Sequence, residues 1–232
     1  MECAAHWTTL PGWAIFLSCM QRALQPELLD SLPPDHPDAL HNRRDLRLIN
    51  RVMGNYRWIA RTLADGLRPG EAVLELGAGT GDLGRELSGR GTAADGLDLW
   101  PRPADWPANR AWHRHDLLTF AGYERYSAII GNLIFHQFNA AQLAELGAKL
   151  RRSARLIVAC EPARRRRSQR LFATVAPLLG ANRVSLHDAH VSIAAGFDGR
   201  ELPEMLGLAE PEWQYRCHTS LLGAYRMVAR RT

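Results

Sequence analysis

The segment Val73-Leu-Glu-Leu-Gly-Ala-Gly-Thr-Gly81 limits the possible folds of this chain more than any other stretch of similar length. A short apolar run from Ala72 carries one carboxylate, Glu75, and is followed by glycines at alternate positions, Gly77, Gly79 and Gly81. Without Cβ atoms, such a loop turns tightly and lets a ligand lie directly against backbone amides. Residues 82–87 then read as a helix. Strand, glycine-rich turn and helix, in that order, open a doubly wound α/β sheet, in which ligands collect beyond the carboxyl ends of the strands.

The alternation continues downstream. Residues 92–97, 111–115, 126–131 and 155–160 read as strands two to five, with helices over 140–150 and 168–179. Parallel strands need crossovers of about a dozen residues, usually helical, and these segments supply them. Residues 213–217 and 224–229 flank a turn at Leu222-Gly223 and read as a hairpin. Between the helix over 168–179 and this hairpin, the polar stretch 187–192 and Gly196-Phe197-Asp198-Gly199 read as irregular, before a short helix from Arg200.

Upstream, Ile49, Val52, Met53, Tyr56, Ile59, Ala60 and Leu63 recur at helical spacing, with Arg47, Arg51, Arg57 and Arg61 largely on the other faces. This predicts one amphipathic helix over 45–63, stopped by Gly66 and Pro69-Gly70. The chain of 232 residues suits one main core with a small appendage. The expected division is an extension over 1–19 outside the ordered fold, with Met20 as an alternative start, a helical lid or cap over 20–68, and the main domain over 69–232.

With 46% hydrophobic and 23% charged residues, the composition is that of a soluble globular protein. The net charge of +5 invites a nucleic-acid reading, but Lys149 is the only lysine among 29 basic residues. So strong an arginine skew reflects genome composition more than a binding surface. The run Arg164–Arg167 reads as the solvated first turn of a helix in preference to a polyanion site. Cys3, Cys19, Cys160 and Cys217 lack zinc or disulfide spacing, which points to a reducing, cytoplasmic setting and no metal. The apolar stretch 13–20 is too short to span a membrane, and no membrane partner is expected.

Asp98 lies seventeen residues past Gly81, at the end of the second strand, where a carboxylate can take both hydroxyls of a ribose. Leu99 and Trp100 offer an apolar surface to an adenine. Asp116 and Leu117, after the third strand, can meet the adenine amino group and a ring nitrogen. Gly79-Thr-Gly-Asp-Leu-Gly84 literally satisfies the dinucleotide pattern G-x-G-x-x-G. In that fingerprint, however, the first glycine directly follows the strand. Here Gly77 does so, which puts Asp82 where the third glycine belongs and sets a carboxylate beside a pyrophosphate. A sulfonium methyl donor, positively charged and without phosphate, suits Glu75, Asp82 and Asp98 better.

Glu75-Leu-Gly-Ala-Gly-Thr-Gly81 resembles motif I of the class I S-adenosylmethionine-dependent methyltransferases, and Asp98 and Asp116 fall where the next two motifs of that family fall. The resemblance implies a Rossmann-like, mostly parallel seven-stranded sheet closed by a C-terminal antiparallel hairpin, with N-terminal helices. It also implies S-adenosylmethionine as cofactor, held by Glu75, Gly77, Ala78, Gly79, Thr80, Gly81, Asp98, Leu99, Asp116, Leu117 and Asn132. Arg43-Arg-Asp-Leu-Arg47, Asn132-Leu-Ile-Phe-His-Gln-Phe138, Ala159-Cys-Glu-Pro162 and His187-Asp-Ala-His-Val-Ser192 are similar to segments of small bacterial methyltransferases encoded beside type III polyketide synthases. That likeness implies a small phenolic, quinone-like or polyketide-derived acceptor.

Methyl transfer is an in-line displacement, so the protein supplies alignment and, for a hydroxyl acceptor, a route for its proton. His136, just past the fourth strand, is the leading candidate base; the alternative is that it packs the turn. Glu161 ranks next, with an ion-paired loop carboxylate as its alternative. His187, Asp188 and His190 form a third group, in which an extended chain puts Asp188 and His190 on one face. As a lid, residues 45–63 would turn Asn50, Asn55, Tyr56 and Trp58 toward cofactor or acceptor. Two other readings stay open. A nucleic-acid methyltransferase would track phosphate with the arginine run, although Asn132-Leu-Ile-Phe135 lacks the Pro-Pro-aromatic element used to stack a flipped base. A non-catalytic S-adenosylmethionine-binding module would keep the pocket without turnover.

Overall fold

The computed structural model describes residues 20–33 and 35–232, so the expectation for residues 1–19 lies outside the described residues. Seven strands, β1 (Val73–Leu76), β2 (Ala94–Asp98), β3 (Trp112–Arg114), β4 (Ala128–Asn132), β5 (Leu156–Pro162), β6 (Trp213–Thr219) and β7 (Ala224–Arg231), form one sheet in the order β3-β2-β1-β4-β5-β7-β6. Strands β1 to β5 are parallel, and β7 runs antiparallel between β5 and β6. The strand order reverses between β1 and β4, and the gap at their carboxyl ends is the place such a sheet reserves for a ligand.

Side chains alternate across the sheet with period two, so each strand feeds two cores. Leu74, Leu76, Ile129, Ile157 and Ala159 point to one face, where Leu143, Leu146 and Leu150 of α4 (Ala140–Ser153) and Leu202 and Leu206 at α7 (Glu201–Met205) cover them. Val73, Ile130, Leu156, Val158 and Cys160 point to the other, under Ile59 and Leu63 of α2 (Asn55–Gly66) and Leu83 and Leu87 of α3 (Asp82–Gly89). Helix α4 starts sharply because Asn139 and Gln142 satisfy each other's backbone amides in a capping box.

Three expectations need correction. The helix expected over 45–63 is two helices, α1 (Pro37–Met53) and α2, joined at Gly54, whose φ of 65° ends one and begins the other. The true start of α1 is hidden because its inward side is polar, with Asn42, Asp45 and Asn50 all buried. The stretch 187–192 belongs to a regular helix, α6 (Arg183–Ala195), N-capped by Asn182. Its buried side includes Ser185, bonded to Asp45 at 2.7 Å, and Asp188, so no apolar stripe marks it. Finally, the arginine run is not a uniformly solvated turn. Arg164 is buried, ion-pairs with Glu201 and donates to the carbonyl of Met20, and Arg165 pairs with Asp198. Only Arg166 and Arg167, which open α5 (Arg166–Val175), are exposed.

Candidate active site

A cleft of about 480 Å³ opens at the carboxyl edge, beside the β1 and β4 ends. Glu75, Gly77, Ala78, Gly79, Thr80, Asp98, Leu99, Asp116, Leu117 and Asn132 line it, which gathers the expected cofactor residues except Gly81. Gly81 sits behind them as the cap of α3, its amide closing the turn on Ala78 at 2.8 Å. The loop needs its first glycine sterically. Gly77 has a φ of +63°, and a Cβ there would lie 2.6 Å from the Ile134 side chain.

Asp98 is 8% exposed and organises the mouth, accepting from the Gly79 amide at 2.7 Å and the Trp100 amide at 2.8 Å. Each of its oxygens spends one bond on the backbone and keeps a lone pair for a ligand hydroxyl. Leu99 stands 61% exposed over the cleft, and the Arg43 guanidinium covers the Trp100 ring, 4.5 Å from its centroid. Asp116 holds the Leu118 amide at 2.6 Å. Asp82, in contrast, is neutralised by Arg85 at 2.6 Å and bonded by the Thr80 hydroxyl at 2.5 Å.

Glu75 is the anomaly. It is buried on the cleft wall, where the nearby Gly84 amide leaves its Oε2 short of a well-formed hydrogen bond. Burial, with the charges of Asp98 and Asp82, pushes its carboxyl up to about 8. A buried carboxylate without a counterion is costly unless something cationic meets it. The donor set therefore fits a ligand with a ribose, an aromatic base and a positive end.

The catalytic candidates lie elsewhere. None of His136, Glu161, His187 and Asp188 is among the cleft residues. His136 is only 3% exposed, its Nδ1 2.6 Å from Glu161 and its Nε2 3.3 Å from Glu27. Burial alone would lower its pKa, but the two carboxylates outweigh that and raise it to about 9. With both ring nitrogens bonded to carboxylates, His136 anchors the loop and lies outside the donor cleft. Glu161 is not a partner of the arginines. It accepts three successive amides, Ile134 at 2.9 Å, Phe135 at 3.0 Å and His136 at 3.3 Å, and so pins the loop after β4. That loop is strained at Leu133, with φ 60°, and its residues Leu133, Ile134, Gln137 and Phe138 wall the cleft.

Asp188, on α6 beside His187, accepts from the Leu28 and Leu29 amides at 2.7 and 3.1 Å and from Asn42 at 3.2 Å. It thereby ties down residues 20–33, a strap that Arg22 also fastens through the carbonyls of His136, Phe138 and Ala195. His190 is exposed on the same helix. Among the described residues, no group of three metal-ligating side chains is assembled. Of the expected lid residues, Asn50 and Tyr56 line the cleft. Asn55 stands behind, bonded to Asn50 at 2.9 Å, and Trp58 turns away to Arg226 and His218. Sequence reasoning missed the strap's Leu29 and Asp30 as well as Arg47 and Gln142, all on the cleft wall. The strap has no periodicity, so only spatial proximity reveals it.

Strand order and hairpin together define the fold of the class I S-adenosylmethionine-dependent methyltransferases. Solved structures share that fold at low identity. The plantazolicin methyltransferase BpumL in complex with SAH aligns with a TM-score of 0.68 at 11% identity, over 88% of this chain and 92% of that one. Magnesium protoporphyrin IX methyltransferase from Synechocystis PCC 6803, with bound SAH, aligns with a TM-score of 0.55 at 15% identity, over 82% and 86%. A structure described for the conversion of a disulfide bond into a thioacetal group during echinomycin biosynthesis aligns with a TM-score of 0.55 at 24% identity, over 75% and 80%. No protein-family model matches the chain, and no curated protein matches it. No helix among the described residues is long and apolar enough to cross a membrane.

Proposed function

We infer that the protein is an enzyme that methylates a small molecule with S-adenosylmethionine, at the hydroxyl or an activated ring carbon of a phenolic or polyketide-derived compound, in the cytoplasm. The buried Glu75 oxygen, short of a well-formed hydrogen bond beside Asp98 on a glycine-walled cleft, carries this reading. When bound, S-adenosylmethionine supplies a methyl carbon activated by a sulfonium. Asp98 would hold the ribose hydroxyls, Leu99 and Trp100 the adenine face, Asp116 and Leu117 the adenine edge, and Glu75 the positive end. Gly77, Gly79 and Thr80 let the donor approach the backbone, and Asn132, bonded to Asn50 at 3.1 Å, joins the strand tip to the cap. The Glu161–His136 pair holds the loop that walls the reaction space, which aligns the two reactants. The acceptor class comes from the resemblance of segments such as Asn132–Phe138 to polyketide-associated methyltransferases.

Calorimetry with S-adenosylmethionine, S-adenosylhomocysteine and nicotinamide dinucleotides tests the donor, and labelled methyl transfer to a phenol panel tests the acceptor. Heat with a dinucleotide alone refutes the reading. Binding without turnover on any acceptor favours a non-catalytic module, and retention on heparin with steep salt dependence favours nucleic acid.

A further inference from the structure

A second cavity, of about 280 Å³, lies beside the donor cleft, and the two share Asp30 and Gln137 as a common wall. Leu24, Pro26, Val191 and Ala195 give it an apolar side between the strap and α6. Its polar end holds Glu27 and Ser192, which are bonded to each other, and the His136 ring. Asp30 differs from these neighbours. Glu27 is committed to His136 and Ser192, and Asp188 to the strap amides, whereas no hydrogen bond engages the Asp30 carboxylate among the described residues. Both cavities therefore meet at Asp30 and Gln137, whose side chains make no hydrogen bond among the described residues, and the exposed Asp30 is the charged one of the two.

Resting on the methyltransferase reading, we propose that this second cavity is the acceptor site, that it takes an uncharged aromatic hydroxyl, and that Asp30 receives the hydrogen bond of that hydroxyl at the boundary with the donor cleft. The apolar side suits a ring. Glu27 is paired with the His136 ring, so an anionic acceptor meets its like charge at Asp30, and a protonated amine has no lone pair to offer and would sit beside a cationic donor. Burial, with the charges of Glu27 and Asp188, raises the Asp30 carboxyl above its ordinary value, which strengthens it as a hydrogen-bond acceptor.

The test is binding, measured on the full chain by ligand-observed NMR with S-adenosylhomocysteine present. 1-Naphthol should bind at least tenfold more tightly than 1-hydroxy-2-naphthoate. Leu24→Trp, which fills the second cavity from a half-exposed position outside the donor cleft, should abolish naphthol binding and leave S-adenosylhomocysteine affinity unchanged. Asp30→Asn should weaken naphthol about tenfold, and Asp30→Lys should reverse the preference toward the carboxylated probe. Naphthol binding that survives Leu24→Trp, equal binding of the anionic probe, no binding of naphthol at all, or tighter binding of 1-naphthylmethylammonium overturns the proposal. Any of these results in a chain that still binds S-adenosylhomocysteine leaves the donor reading standing, whereas absence of S-adenosylhomocysteine binding removes the donor reading itself.

Discussion

Glu75 makes donor binding depend on pH in a way that can be calculated. Its carboxyl sits at about 8 in the ligand-free protein, so a cationic ligand that requires the carboxylate must first drive off a proton at neutral pH. The sign follows directly. Affinity rises with pH up to about 8 and then levels, because the bound state prefers the deprotonated form. At pH 6 about one molecule in a hundred is ionised, so the affinity contributed by Glu75 falls about 100-fold, or about 2.7 kcal/mol at 1.36 kcal/mol per unit. The α-amino group of the ligand titrates near 7.7–8.0 as well, but below pH 7 it stays protonated, so the dependence in that range belongs to Glu75. Calorimetric titration of S-adenosylmethionine into the native protein and Glu75→Gln between pH 6 and 9.5 isolates the effect as a ratio of affinities. The ratio should grow about tenfold per unit from pH 6 toward 8 and flatten above it, with release of close to one extra proton by the native protein at pH 6.5. A ratio constant across the range would refute the assignment of Glu75 as the counter-charge.

The same group acts on stability with the opposite economy. Its folded value of about 8 lies above that of an unfolded carboxyl, so the ligand-free protein is favoured at low pH and loses stability as pH rises from about 4.5 to 8, by up to about 1.4 kcal/mol per unit. Thermal melts should therefore show Glu75→Gln gaining on the native protein by about 2–4 °C for each kcal/mol across that window, and parallel curves would contradict the burial argument. His136, held at about 9, contributes stability fully below about 6.5 that fades as pH passes 9, and His136→Ala should cost about 3–5 kcal/mol at pH 7 by leaving Glu161 and Glu27 without their shared cation. A melting temperature unchanged in that variant would show the pair to be inert. Gly77→Ala should cost about 1–2 kcal/mol from backbone handedness alone and weaken donor binding by displacing Ile134, whereas wild-type affinity would mean the loop can relax around a methyl group. Asp98→Ala should reduce S-adenosylmethionine affinity at least 30-fold, since it removes a carboxylate that accepts ligand hydroxyls and orders Gly79 and Trp100, with fold integrity followed by circular dichroism.

Much of the sheet was legible because its physics is local. Strand β1, the glycine turn and α3 announce themselves through alternation, missing side chains and helical spacing, and each later strand lies within a few residues of where its apolar run predicts. The hairpin reads from its turn. What stayed hidden was every element stabilised by polar contacts to distant residues. Helix α6 buries Ser185 against Asp45 and Asp188 against the strap, so its apolar spacing is interrupted on the side that packs. Helix α1 likewise turns Asn42, Asp45 and Asn50 inward. Binary pattern assumes that buried means apolar, and it fails where hydrogen bonds replace hydrophobic contact. The site divides along the same line. Donor residues cluster on strand ends that one motif specifies, whereas the strap reaches its place through bonds across more than 150 residues to Asp188 and Ser192.

That division explains why the surroundings of His136 could not be read from the sequence. A histidine after a strand tip satisfies the geometry expected of a base, and sequence alone does not reveal that Glu161 and Glu27 bracket it. Those two contacts tie it into the framework around the site. Glu161 gathers three amides of the loop that walls the donor cleft, His136 links Glu161 to Glu27 on the strap, and Glu27 continues to Ser192 on α6. One chain of charged hydrogen bonds thus spans β5, the loop after β4, the strap and α6, and the last three of these line the second cavity. Loss of any link should loosen both compartments together, so a variant such as Glu161→Gln should weaken donor binding and shift the acceptor preference in the same protein. An acid or base acting directly on substrate would change the rate alone.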